Sequence, residues 1–232
     1  LAPEPLWEDG IPPWGVFRLM SRLLDDNETR QEWSLSSQKV PLAQHSEAVA
    51  QRAGQMAAGV GLLTHLQDAV CRGGHLHDAG KADLWFQKER MRWDGKILLA
   101  KSGELSAQDL RRRRGTGLLS RGWRHEQLSA AVAFDQPDLG ADRDLVIRLV
   151  GTSHGHGRPF FPFGHDAYMP HGYGHGHGHA VATVEAVTTL FGNGSGWSDI
   201  FDATHRRYGV WGCAYLEAVL RSADCQVSQE GS

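Results

Sequence analysis

Cysteine is scarce in this chain. Its three cysteines, Cys71, Cys213 and Cys225, lie far apart in 232 residues, with no Cys-x-x-Cys pair. That argues against a disulfide framework and fits a reducing cytoplasm, where the chain is expected to reside. Charge of one sign is lacking too. A net charge of −3 with histidine neutral excludes a chain that is basic throughout, so any contact with nucleic acid must come from local patches. No apolar run reaches the roughly 18 residues of a membrane helix, and no signal peptide is evident. Gly-x-x-x-x-Gly-Lys-Ser/Thr is absent, so no ATP-driven motor resides in these residues. Neither a convincing strand nor a repeat of roughly 20 to 50 residues is present. The first residue is Leu, which leads us to expect a piece of a longer protein.

What is there reads as all-α and, overall, as a single domain. Hydrophobic residues make up 41% of the chain, enough for one core. Residues 1–40 form an N-terminal arm and first packing segment, Pro-rich at its start, and 41–232 form the main domain. Helices are expected from Pro41 to about Gly59, over 64–79 and 82–92, from His125 to about Phe134, from Asp142 to Ser153–Gly155, and over 180–192, 196–207 and 208–227. Helical spacing of Leu42, Val49 and Ala53, and of Leu145 and Leu149, carries this reading. Asp142 suits a helix cap. Residues 94–122 read as irregular and basic. The Gly-interrupted run from His171 to His179 reads as a flexible loop.

Five short motifs carry the chemistry: Gln44-His45-Ser46, His75-Leu-His-Asp-Ala-Gly-Lys81, Arg124-His125-Glu126, Ser153-His-Gly-His-Gly-Arg-Pro159 and Arg221-Ser-Ala-Asp224. A neutral imidazole beside a carboxylate suits a hard-to-borderline divalent metal. His77 and Asp78 differ by about 100° around a helix, so both can reach one cleft. His75 points the other way and reads as structural, as do His65, His165 and His205. The two oxygens of Asp78 can bridge two metals, which lower the pKa of a bound water and neutralise charge on a phosphodiester. Lys81, three residues on, can neutralise Asp78 or a phosphate oxygen, or stand solvated at a helix end. Asp224 sits in an apolar helix and needs a partner, either a metal or Arg221.

At these residues the chain resembles the HD nuclease of type I CRISPR systems, over roughly 41–226. The resemblance implies an HD-domain helical bundle with irregular loops. It places His45, His77, Asp78 and Asp224 on one metal and Asp78, His125 and His154 on another. It also implies one or two divalent ions (Mn, Fe, Co, Ni or Mg), hydrolysis of single-stranded DNA with Asp78 and Lys81 as catalytic groups, and partnership with a helicase domain or chain and a CRISPR effector complex. No membrane is implied. The family usually has two adjacent histidines in the fourth motif. Here the pair is Ser153-His154, so the second site is one imidazole short unless His156 substitutes. Arg111, Arg112, Arg113, Arg114, Trp123, Arg124 and Arg158, with Arg121 beside them, are the candidate DNA contacts, a basic stretch with an aromatic platform. Two other readings stand beside this one: an HD phosphohydrolase acting on a nucleotide or phosphate monoester, and a non-catalytic HD module that binds nucleic acid or a protein.

Overall fold

The computed structural model describes residues 3–7, 38–91, 93–103, 123–161, 182–192 and 196–231. Among them are seven α-helices and one two-stranded sheet. The order is β1 (Lys39–Pro41), α1 (Leu42–Gly59), α2 (Thr64–Leu76), a 3-10 turn (Ala79–Ala82), α3 (Leu84–Arg90), β2 (Leu99–Ser102), α4 (His125–Phe134), α5 (Arg143–Thr152), α6 (Val184–Phe191) and α7 (Gly196–Glu230).

The helices follow from apolar spacing. α1 buries Leu42, His45, Ser46, Val49, Ala50, Ala53 and Ala57, a stripe of period 3.6, with Ala48 and Met56 partly buried at its edges. α2 buries Leu66, Ala69, Val70, Gly73 and Gly74 against it. The small residues allow close approach: a Cβ on Gly74 would lie 3.0 Å from Ala50 Cα. α5 is buried along its whole length from Leu145 to Thr152, not merely on one face. It is therefore the central helix, packed on α2, α4 and α7. Leu145, Ile147, Leu149, Leu216 and Leu220 are essentially inaccessible to solvent, each burial worth roughly 1.5–3 kcal/mol.

Three local expectations need correction. α2 ends at Leu76, short of 79: Asp78 leaves helical geometry at φ −104°, ψ 5°, and Lys81 N bonds to Asp78 O to open the 3-10 turn. The break expected between 207 and 208 is found at Gly209, where a φ of 72° and ψ of 165° bend the chain between the two helical stretches of α7. Strands do exist. β1 pairs antiparallel with β2, Val40 opposite Lys101. Asp142 stands at the start of α5, but its carboxylate makes no cap bond. It bonds His65 Nδ1 at 2.7 Å and accepts from Tyr208 at 2.6 Å.

Residues 3–7 lie on the helices. Leu6 enters the core, and Trp7 donates to Val60 O at 2.9 Å and packs edge-on to Tyr215.

Candidate metal centre

Five segments deliver the polar side chains of the site. α1 brings His45, the end of α2 brings His77 and Asp78, and α4 opens on His125. The turn after α5 brings His154, and the last third of α7 brings Asp224. His45, His77, Asp78 and Asp224 are all buried. The side chains form two triads that could each hold a metal ion: His45, His77 and Asp224, and Asp78, His125 and His154.

In the first triad His45 Nε2 and His77 Nε2 stand 3.4 and 3.7 Å from Asp224 Oδ1. Asp78 Oδ2 completes the group, 3.7 Å from His45 Nε2 and 3.5 Å from His77 Nε2. Two ligands on a tetrahedral ion with bonds of 2.0–2.1 Å stand about 3.4 Å apart, so these separations fit one coordination sphere. His77 Nδ1 lies 2.7 Å from the carbonyl of Gly74. A carbonyl only accepts, so Nδ1 carries the proton and Nε2 offers its lone pair. Ser228 Oγ donates to Asp224 Oδ1 at 3.3 Å, and Lys101 Nζ donates to Ser228 O at 3.0 Å, tying β2 to the end of α7.

The second triad uses the other oxygen of Asp78. Oδ1 is 3.1 Å from His125 Nε2 and 3.7 Å from His154 Nε2. The carboxylate of Glu126 lies 3.6 Å behind, at His125 Nδ1, and accepts from Arg124 at 3.2 Å. Burial pushes the His125 ring down to about 4, so it is neutral at pH 7. Asp78 and Asp224 are held well below the usual carboxylate range. Burial opposes this, but His77 and Lys81 at Asp78, and His45 and His77 at Asp224, outweigh it. His77 Nε2, Asp78 Oδ1 and His125 Nε2 are buried without a hydrogen-bond partner. Orphaned nitrogen and oxygen lone pairs converging on one spot are the donor set of a borderline divalent cation.

The remaining sequence candidates divide. Lys81 Nζ donates to Asp78 Oδ2 at 2.7 Å. His75 is exposed near Glu47, while His77 is fully buried. His156 falls outside both triads. Arg221 directs its guanidinium to Ser153 O at 3.0 Å and His154 Nδ1 at 2.8 Å. Trp123 stacks on Phe86 at 5.3 Å, and Phe86 lies 5.8 Å from His125, so Phe86 borders the second triad and Trp123 packs on Phe86. Arg124 is engaged with Glu126, and Arg158 pairs with Glu217, which also holds the buried Arg148. Arg111 to Arg114, Arg121, His165 and the stretch 171–179 lie outside the described residues.

Sequence reasoning missed Lys101, Gln87 and Ser228. Gln87 donates to Lys81 O at 2.7 Å and to Leu99 O at 2.9 Å, and accepts from Leu99 N at 2.9 Å, so it locks β2 to the Lys81 turn. Ser228 was findable, being four residues after Asp224 on one helix. Nothing local marks Lys101 or Gln87.

No protein-family model, curated protein or solved structure matches this chain.

Proposed function

We propose that this chain is a metal-dependent nuclease of the HD class, hydrolysing phosphodiester bonds of single-stranded DNA in CRISPR interference. The observation that carries the reading is the placement of Asp78. Its two oxygens face two different triads, as a carboxylate must if one group is to serve two cation positions. Bound divalent cations supply Lewis-acid stabilisation and an activated water. Nitrogen-rich ligands favour Mn, Fe, Co or Ni over Mg.

The chain's own residues do the rest. Asp78 and Asp224 stay ionised in the buried site. Lys81 holds the Asp78 carboxylate in place and offers its ammonium to a phosphate oxygen. The ring of Trp123, stacked on the Phe86 ring that lies beside His125, offers a stacking face for a base, and the arginines of the basic run supply charge for the DNA backbone. Strand opening falls to a helicase domain or chain, and recruitment to a CRISPR effector complex. The chain works in the cytoplasm. Among the described residues no helix is long and apolar enough to cross a membrane.

The test joins metal analysis to cleavage of circular single-stranded DNA. We expect bound divalent metal, cleavage that stops with a chelator and returns with Mn or Ni, and no cleavage by Asp78→Ala. Metal-loaded protein that ignores DNA but hydrolyses a nucleotide or phosphate monoester would move the assignment to the phosphohydrolase reading. DNA binding without hydrolysis would move it to the non-catalytic one.

A further inference from the structure

Three rings of the site, His77, His125 and His154, do not have the same chemistry behind them. His77 has the Gly74 carbonyl at Nδ1, and His125 has the Glu126 carboxylate. Both neighbours accept. His154 has Arg221 at Nδ1, 2.8 Å away. A guanidinium carries only donors, so His154 Nδ1 must be the acceptor. A neutral imidazole has one proton, which is then on Nε2, the nitrogen that faces Asp78 Oδ1. A nitrogen bearing a proton has no lone pair for a metal.

We infer that Arg221 is a positioning residue that holds His154 in its Nε2–H form and so keeps the second triad from binding a metal tightly, leaving one resident ion on His45, His77, Asp78 and Asp224. This rests on the metal-binding reading above. Arg221 is well placed for the role. It grips the turn at a second point, the carbonyl of Ser153, and so cannot rotate off His154 without releasing that bond as well. It also stands one turn before Asp224 on α7, so the helix that provides a ligand to the first triad also carries the group that blocks the second. With His154 set aside, the second triad keeps His125 Nε2 and the shared Asp78 Oδ1, two protein ligands where tight catalytic zinc sites use three. His154 then serves as a hydrogen-bond donor to Asp78 or to a phosphate oxygen entering between them.

The tautomer is read directly by long-range 1H–15N correlation on metal-free protein with labelled histidine. We expect a protonated Nε2 and an unprotonated Nδ1 at His154, with the opposite pattern at His77. A protonated Nδ1 at His154 overturns the inference. Zinc titration is the second arm. Wild-type protein should take one ion tightly and a second more weakly. Arg221→Met, which keeps length and removes the donors, should tighten the second step by about tenfold or more, the range seen when a partner of a ligating histidine changes. Arg221→Lys, which keeps a donor, should behave as wild type. Two equal tight steps in wild-type protein, or an unmoved second step in a folded Arg221→Met variant, also overturn it. Protein that takes no zinc defeats the metal reading itself, while the tautomer measurement still decides the role of Arg221.

Discussion

The two triads meet at Asp78, whose second oxygen faces the first, and at little else. The first is buried throughout, and the second is half-buried at His125 and His154. The contrast lies as much behind the ligands as in them. The first triad is backed by the Gly74 carbonyl behind His77 and by the Lys101–Ser228 chain behind Asp224. The second has an acceptor behind His125 but a guanidinium behind His154. Proximity brings ligands together, yet the groups at their far sides decide which atoms have lone pairs to give.

The largest effect should come from the shared residue. Asp78→Ala should abolish metal-dependent cleavage and remove tight metal binding, since both cation positions lose an oxygen. Lys81, only 13% exposed at its side chain, would also lose its carboxylate partner, and breaking a buried pair costs about 3–5 kcal/mol. Asp78→Asn keeps the shape and should separate the two losses: thermal melting should recover in part, and cleavage should not. Undiminished cleavage by folded Asp78→Ala would end the assignment and, with it, the comparison.

Gly80→Ala should strike the two triads unequally. Gly80 N donates to Ser129 Oγ at 2.8 Å, and the turn lies flat on the start of α4. An added Cβ would collide with the carbonyl oxygen of His125 and lie 2.8 Å from Ser129 N. Overpacking of this kind costs about 1–3 kcal/mol. The displaced element carries His125, so the second step of a metal titration should weaken more than the first. Equal weakening of both would show that the triads move as one unit.

The fold and the site were legible in the sequence to different depths. The start and end of α4, the extent of α1 and the burial of His77 over His75 follow from local pattern, because apolar spacing and a 100° step are short-range facts. The strands escaped because β1 is only three residues long and pairs with a segment about 60 residues away, and β2 is buried on both faces, so it shows no alternation. The early end of α2 escaped because Asp78 leaves the helix to serve the site, a tertiary demand that overrides propensity. Arg221 was weighed as the partner of Asp224 on i, i+3 spacing, yet its guanidinium bonds Ser153 and His154, since the turn after α5 packs beside that stretch of α7. Spacing along a helix cannot reveal a neighbour brought from elsewhere in the chain.

A smaller effect should sharpen the contrast from the first side. Ser228→Ala removes the hydroxyl that donates to Asp224 Oδ1 and leaves the backbone carbonyl that Lys101 uses. The carboxylate should become less well oriented, weakening the tight ion by up to about tenfold. The second step should not move, because Asp224 belongs to the first triad alone. Calorimetric zinc titration of the variant beside wild type checks both halves of that expectation.

The smallest effect should come from His156→Ala, read against Ser153→His. Ser153 keeps helical angles, φ −52° and ψ −31°, at the end of α5, and is buried with its Oγ unbonded. A residue there remains on the path of the helix that presents His154. Gly155 then takes φ 82°, a left-handed conformation that suits glycine and turns the chain away. Gly157 does the same at φ 78°. His156 stands between two such turns, outside both triads. Its removal should therefore leave both steps of a zinc titration unchanged within error. Ser153→His places an imidazole beside His154 and should tighten the weaker step, even with Arg221 intact, because it adds a ring that Arg221 does not already occupy. The reverse outcome, a weaker second step in His156→Ala and no gain in Ser153→His, would make His156 the missing ligand. The turn at Gly155 would then serve to bring His156 to the metal, and the asymmetry between the triads would lie in the path of the chain rather than in the proton on His154.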